Sequence, residues 1–323
     1  MASEFEERHG SPGALRAPGG LGGHVGAPQK IAIALERPRI AARRAKRYRT
    51  QRKIGHALTY VGLFAALVFF LGPFFWIITT SLKGNEDFFA YPPVWIPAEP
   101  SLKHYAALFT RSSGARYFAN SMVISSLSMV AALAVSLPTA YSIARWRFGG
   151  GILSTFLLVL RMLPAIALII PIYIMYKVLG LTNSYIGLVT IYTVLYIPFA
   201  VWLLVGFLRD FPVEIEEAAM IDGCSRLRAL IQVVVPIIAP GMAVVALFSF
   251  IATWNEFLFA IVLTGIETKT MMVLVTSFTT GGTDMFYGEA SASVVLGVLP
   301  AFAIAFMLQR YLVKGLALGG TKG

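Results

Sequence analysis

The chain has 323 residues, of which 57% are hydrophobic and 13% charged, and its formal net charge is +11. Soluble domains carry about 25% charged residues, so this composition excludes an ordinary water-soluble fold. The single cysteine, Cys224, excludes an intrachain disulfide, and the four histidines (His9, His24, His56, His104) lack metal-ligand spacing.

Residues 1–30 are rich in Gly, Ala and Pro without apolar periodicity and read as disordered. Twelve of the 27 Lys and Arg lie between Arg8 and Lys53. The densest part, 36–53, invites a nucleic-acid reading, but an apolar span follows at once. The stretch is therefore read as a basic N-tail, 1–53, lying against anionic membrane lipid, with no nucleic-acid partner.

The first span is placed at 54–80. It is too long for the core of a signal peptide and no small-x-small cleavage site follows, so it reads as an uncleaved anchor. An external loop, 81–119, comes next. Its Tyr91-Pro92-Pro93 and Ile96-Pro97 break helices and leave only short elements. Five more spans are expected at 120–144, 152–176, 186–208, 237–264 and 291–312. Each provides the roughly 20 residues that cross about 30 Å of hydrocarbon. Pro138, Pro164, Pro171 and Pro198 fall inside spans and predict kinks. The predicted fold is an all-α integral membrane protein with six transmembrane helices. Its core occupies 120–312, with an inner loop at 212–236, an outer loop at 265–290 and a C-terminal tail at 313–323.

Lys and Arg set the orientation. With the N-terminus inside, the inner segments beyond the tail hold Arg145, Arg147, Arg209, Arg226, Arg228, Arg310, Lys314 and Lys322. The longer outer segments hold Lys83, Lys103, Arg111, Arg116, Lys177 and Lys269. Adding the basic tail to the inner side places both termini in the cytoplasm.

The inner loop 212–236 carries the strongest signal. Pro212 suits the first turn of a helix, and Glu214, Glu216 and Glu217 suit its positive end. Gly223 provides the turn that stops it. A second short helix with Arg226 and Arg228 then leads to Pro236 and the next span. The reading is a helix–turn–helix outside the bilayer.

Glu217-Ala218-Ala219, three residues ending in Asp222, then Gly223, and Pro236 at the end of Val233-Val234-Val235-Pro236, resemble the EAA loop of ABC importer permeases. Val233 and Val235 stand where that family usually has Ile and Leu. Residues 79–109, from Thr79-Thr80-Ser81-Leu82-Lys83 to Tyr105-x-x-Leu108-Phe109, are similar to the first external segment of carbohydrate-uptake permeases. Thr253-Trp254-Asn255-Glu256-Phe257-Leu258 and the terminal Gly319-Gly320-Thr321-Lys322-Gly323 resemble the smaller permease of the maltose-transporter group. The resemblance implies the importer permease fold, a bacterial cytoplasmic membrane and import of an oligosaccharide, disaccharide or polyol. It also implies four kinds of partner: a second permease, a pair of ATPase subunits, an extracytoplasmic solute-binding protein and the sugar itself. Glu217, Ala218, Ala219, Asp222, Gly223 and Pro236 would then couple to the ATPase. The chain would be non-catalytic and need no cofactor of its own, with ATP bound by the partner subunits. No Gly-x-x-x-x-Gly-Lys-Ser/Thr phosphate loop occurs in the sequence, in keeping with that division of labour.

Arg161, Trp254, Asn255 and Glu256 are the candidates for the translocation path, because ionisable and amide groups inside spans face the protein interior or water. The structural alternative is that Asn and Glu bridge helices and Trp254 simply packs. Residue counting puts Arg161 and Glu256 at different depths, so an ion pair between them is not expected. In the outer loop, Gly281, Gly282 and Asp284 are candidate contacts for the solute-binding protein, with a flexible hairpin as the plain alternative. A permease of the same kind for glycerol phosphate, a peptide or an amino acid is the nearest rival reading. An intramembrane enzyme would need His-Glu-x-x-His or Gly-x-Ser-x-Gly, neither of which is present. A proton-coupled carrier would need several buried carboxylates and internal repeats.

The orientation is directly checkable. In intact cells, an impermeant thiol reagent is expected to leave Cys224 unmodified and to label a cysteine placed at Gly114. Labelling of Cys224 from outside would reverse the topology.

Overall fold

The computed structural model describes residues 55–110, 113–146, 149–279 and 286–319. The basic tail 1–53 and the candidates Gly281, Gly282 and Asp284 lie outside the described residues. The chain divides into two units, 1–70 and 71–323. In the first, the described residues belong to helix α1, Gly55–Ser81, and display an apolar surface that includes Leu58, Phe64 and Phe69.

All the regular secondary structure among the second unit's described residues is helical. Its elements are α2 (Lys103–Thr110), α3 (Gly114–Trp146), α4 (Gly150–Arg161), α5 (Ala165–Val178), α6 (Tyr185–Asp210), α7 (Val213–Ile221), α8 (Arg226–Ala229), α9 (Val235–Trp254), α10 (Leu258–Leu263), α11 (Met271–Thr279) and α12 (Tyr287–Gly319). Among the described residues, five helices are long and apolar enough to cross a membrane, or six if α4 and α5 together form one span. Three expected boundaries shift. The span expected at 120–144 is the 33-residue α3, which begins at Gly114. The span expected at 152–176 is broken, with its two parts bent by 86°. Pro164 lacks the N–H that would continue the helix and forms the N-cap of α5. The span expected at 237–264 stops at Trp254 and resumes as α10. In addition, α12 runs on to Gly319 through the start of the expected tail.

Helix α3 is the centre of this unit and packs along both α6 and α9. Lipid gives no hydrophobic drive for helices to associate, so close approach depends on small side chains. Ser121, Ser125, Ser128, Ala132, Ser136 and Ala140, spaced three or four apart, form a buried stripe of that kind on α3. The hydroxyls of Ser128 and Ser136 reach the carbonyls of Val189 and Ile197 on α6, both at 3.5 Å. One apolar cluster joins Tyr141 and Ile143 of α3 to Leu204, Leu208 and Phe211 at the end of α6, and to Val234. Another joins Leu108 to Phe250, Trp254 and Met271.

At the other end of α3, Asn120 Nδ2 donates to the carbonyls of Glu267 (2.8 Å) and Lys269 (2.9 Å), and Ser121 Oγ accepts from the Met271 amide (2.7 Å). Asn183 Oδ1 accepts from the Gly265 amide (2.9 Å) and the Thr268 hydroxyl (2.8 Å). The part of the outer loop up to Thr279 is therefore a tied segment ending in α11. Nearby, His104 Nε2 lies 3.1 Å from the Lys83 carbonyl and His104 Nδ1 lies 3.2 Å from Glu289, linking α2 to the start of α12. The Lys83 ammonium sits 3.7 Å above the Trp76 ring, and burial lowers its pKa against an opposing pull from Asp87.

Candidate functional site

Two sets of sequence candidates occupy two separate places. The first is the α7–α8 corner. Pro212 caps α7 in an extended conformation, and Glu214 and Glu216 lie in the first turn, where exposed amides favour negative charge. The helix ends in a Schellman arrangement: Gly223 N–H donates to the Met220 carbonyl (3.1 Å) and Cys224 N–H to the Ala219 carbonyl (3.0 Å). Gly223 has φ +91°, a conformation that L side chains rarely adopt. Among the described residues a Cβ there would meet nothing within 4 Å, so the requirement for glycine is conformational there, not steric. Glu214, Glu217, Ala218 and Ile221 recur at helical spacing, and all are exposed. They form one face of α7, with Ile221 86% accessible. Asp222 and Gly223 extend that face, while Ala219 is half-buried.

The opposite face carries a residue that sequence reasoning counted only as one of an acidic cluster. Glu216 is 3% exposed. Its Oε2 accepts from Arg145 Nε at 2.7 Å, and its Oε1 accepts from the Tyr141 hydroxyl. Tyr141 and Arg145 are four apart on α3 and so share a face. Arg145 Nη2 also donates to the Phe211 carbonyl (3.4 Å), and its guanidinium lies 5.4 Å from the Phe211 ring centroid. The available signal was the Tyr-x-x-x-Arg pair closing a span beside a doubled glutamate. Pro236 is exposed near the start of α9, directly after a π-helical turn, Leu230–Val234. That wide turn suits a proline, which cannot donate to the carbonyl four residues back.

The second place is a cavity of about 360 Å³ lined by Arg161, Tyr196, Glu256, Leu163, Pro198 and Phe259, among others. Two interrupted helices meet at it: α4–α5, which breaks after Arg161, and α9–α10, which breaks at Asn255–Phe257. Non-helical backbone at membrane depth is tolerated where protein or a water-filled cavity satisfies its polar groups. Glu256 provides part of that satisfaction. Its Oε1 accepts from the Phe259 amide (2.9 Å) and its Oε2 from the Ala260 amide (3.1 Å), which caps α10. The Arg161 guanidinium lies 5.1 Å from the Tyr196 ring centroid and 5.0 Å from that of Phe199. Arg161 and Glu256 line the same cavity, although no ion pair joins them among the described residues. Counting along unbroken helices separates the two in depth, and the breaks in α4–α5 and α9–α10 bring both to one cavity. Asn255 is exposed at the break. Trp254 lies away from the cavity lining. It is 1% exposed, stacks on Phe250, and its Nε1 donates to the Gly297 carbonyl at 2.7 Å.

A polytopic helical protein with broken helices around a cavity that holds an arginine and a glutamate, and a separate exposed helix–turn–helix at one end, has the makings of a transport permease. The comparisons say which: the chain belongs to the family of binding-protein-dependent transport system inner membrane components, matched over residues 132–318. It is 33% identical over 269 residues to the diacetylchitobiose uptake system permease protein DasC of Streptomyces coelicolor, covering 82% of this chain and 96% of that one. It is 31% identical over 270 residues to the trehalose/maltose transport system permease protein MalG of Thermococcus litoralis, with the same coverage. In fold it is similar to a chain of a bacterial ABC transporter that imports the acidic polysaccharide alginate. That match has a TM-score of 0.68 at 20% identity and covers 80% of this chain and 96% of that one.

The geometry at Gly223 separates backbone strain from shape. Gly223→Asp and Glu217→Lys are expected to abolish uptake while leaving membrane insertion unchanged. Gly223→Asn, which tolerates a positive φ better, should retain a measurable part of it. Uptake assays beside membrane-fraction blots check this. Full uptake by Gly223→Asp would contradict the role given to this turn.

Proposed function

We propose that this chain is one of two transmembrane subunits of an ATP-driven, binding-protein-dependent importer of a sugar in a bacterial cytoplasmic membrane. The observation that carries the reading is the exposed face of α7, Glu214, Glu217, Ala218 and Ile221, ended by the positive-φ Gly223. Such a face, outside the lipid and left free by the described residues, suits a cleft on a pair of ATPase subunits, which bind the nucleotide. As part of the same proposal, the Lys and Arg bias puts both termini on that side. The relatives named for diacetylchitobiose and for trehalose/maltose uptake support a carbohydrate as the cargo, delivered by an extracytoplasmic binding protein. The Gly281–Asp284 segment is the proposed contact for that protein.

Transport follows as alternating access. Closure of the ATPase pair displaces α7, and the permease core responds by exposing the cavity at Arg161, Tyr196 and Glu256 to one side and then the other. Nucleotide shifts this equilibrium only through its different interactions with the two states.

The test is reconstitution of both permeases and the ATPase pair in proteoliposomes, with the binding protein loaded with the ligand it carries on purification. The expected result is a sugar as that ligand, stimulation of ATP hydrolysis by the loaded protein, and accumulation of the sugar. A peptide or amino acid in the binding protein would overturn the cargo, and hydrolysis that ignores the binding protein would overturn the coupling.

A further inference from the structure

Helix α7 has nine residues, too few for stability in isolation. It packs on α8 and the π-helical turn rather than along α3. Its connection to α3, the helix at the centre of the unit, therefore rests on long side chains, and Glu216, Arg145 and Tyr141 make it. Arg145 binds three elements at once: its own helix, the carbonyl and ring of Phe211 at the end of α6, and the carboxylate of α7. The second arm of the corner reaches the same helix end, because the Arg226 guanidinium lies 5.3 Å from the Trp146 ring centroid. Tyr141 meets the Trp146 ring edge-on at 5.4 Å. At its other end α3 holds the outer segment through Asn120 and Ser121.

We propose that Arg145, fixed by Phe211 and paired with Glu216, is the positioning residue through which displacement of α7 is delivered to α3 and along it to the outer segment at Glu267–Met271. This rests on the reading of α7 as the coupling element. The outward face of α7 receives the movement, and the inward carboxylate passes it on. A single buried acceptor held from two directions transmits both push and pull, because either displacement would leave charged groups unpaired in an apolar setting. Lysine cannot replace this arginine. It retains the charge but lacks the planar fork that serves the Glu216 carboxylate and the Phe211 carbonyl together.

The experiment uses the complete reconstituted transporter and reads two quantities: the ATPase subunit retained on purification, and the solute moved per ATP hydrolysed. Arg145→Lys and Glu216→Gln are conservative enough to fold, and both leave the outward face of α7 intact. Both are expected to retain the ATPase subunits and to keep hydrolysing ATP. The solute moved per ATP should fall by about tenfold for Arg145→Lys, within the range of typical coupling between sites. Glu216→Gln keeps the shape and the acceptor oxygen, and its fall should be smaller. A wild-type ratio in both variants would overturn the proposal. So would uptake that falls only in proportion to lost ATPase subunit, since that would make the pair a purely structural brace. Glu217→Lys separates the two readings. If it leaves ATPase retention and uptake untouched, the coupling role of α7 fails. If it acts as expected while Arg145→Lys and Glu216→Gln remain fully coupled, only the present inference fails.

Discussion

A buried carboxylate must be paired, and the pairing of Glu216 with Arg145 and Tyr141 decides what the rest of α7 can do. Leaving one partner of such a pair alone costs about 3–5 kcal/mol, more than a nine-residue helix is able to gain by itself. With Glu216 turned inward, helical periodicity turns Glu217, Ala218 and Ile221 outward. The doubled glutamate is thus divided, with one carboxylate holding the helix and its neighbour left exposed.

The same constraint, applied at membrane depth, shapes the cavity. Lipid gives no hydrogen bonds to a broken helix, so the amides freed at the start of α10 need an internal acceptor. Glu256 supplies it with both carboxylate oxygens. The charge that looks expensive in a span is therefore structural as well as a wall of the cavity it shares with Arg161. Between the two places runs α3. Its 33 residues correspond to about 50 Å at about 1.5 Å per residue. Its stripe of small residues lets α6 pack closely along it, and polar side chains at both ends tie it to the loops.

The apolar runs were legible as membrane helices because about 20 consecutive apolar residues have few other uses. The α7–α8 corner was legible because Pro212, the acidic turn and Gly223 each have a strong local preference. What escaped depended on contacts distant in sequence. Glu216 and Glu217 are equivalent to any local rule, and it is Arg145 and Tyr141, 71 and 75 positions away, that distinguish them. The interruption of α9 at Trp254 carries no proline or glycine at the break, so nothing local announced it. Pro164 did announce a disturbance, but an 86° bend exceeds what a proline alone would suggest. Trp254 is a translocation-path candidate by sequence, and its place in the packing, with the indole N–H on the Gly297 carbonyl, depends on a residue 43 positions away.

If Arg145 links them as proposed, α7, α3 and the outer segment move as one body. Pulsed electron spin resonance on the reconstituted transporter tests it most directly. With Cys224 replaced by serine, spin labels would be placed pairwise at the exposed Ile221, Val135 and Ile266. The account predicts that the Ile221–Val135 and Val135–Ile266 distances stay within about 2 Å of their nucleotide-free values when ATP is trapped and the ATPase pair has closed. A change of about 5 Å between Ile221 and Val135, one helical turn of slippage, would contradict it.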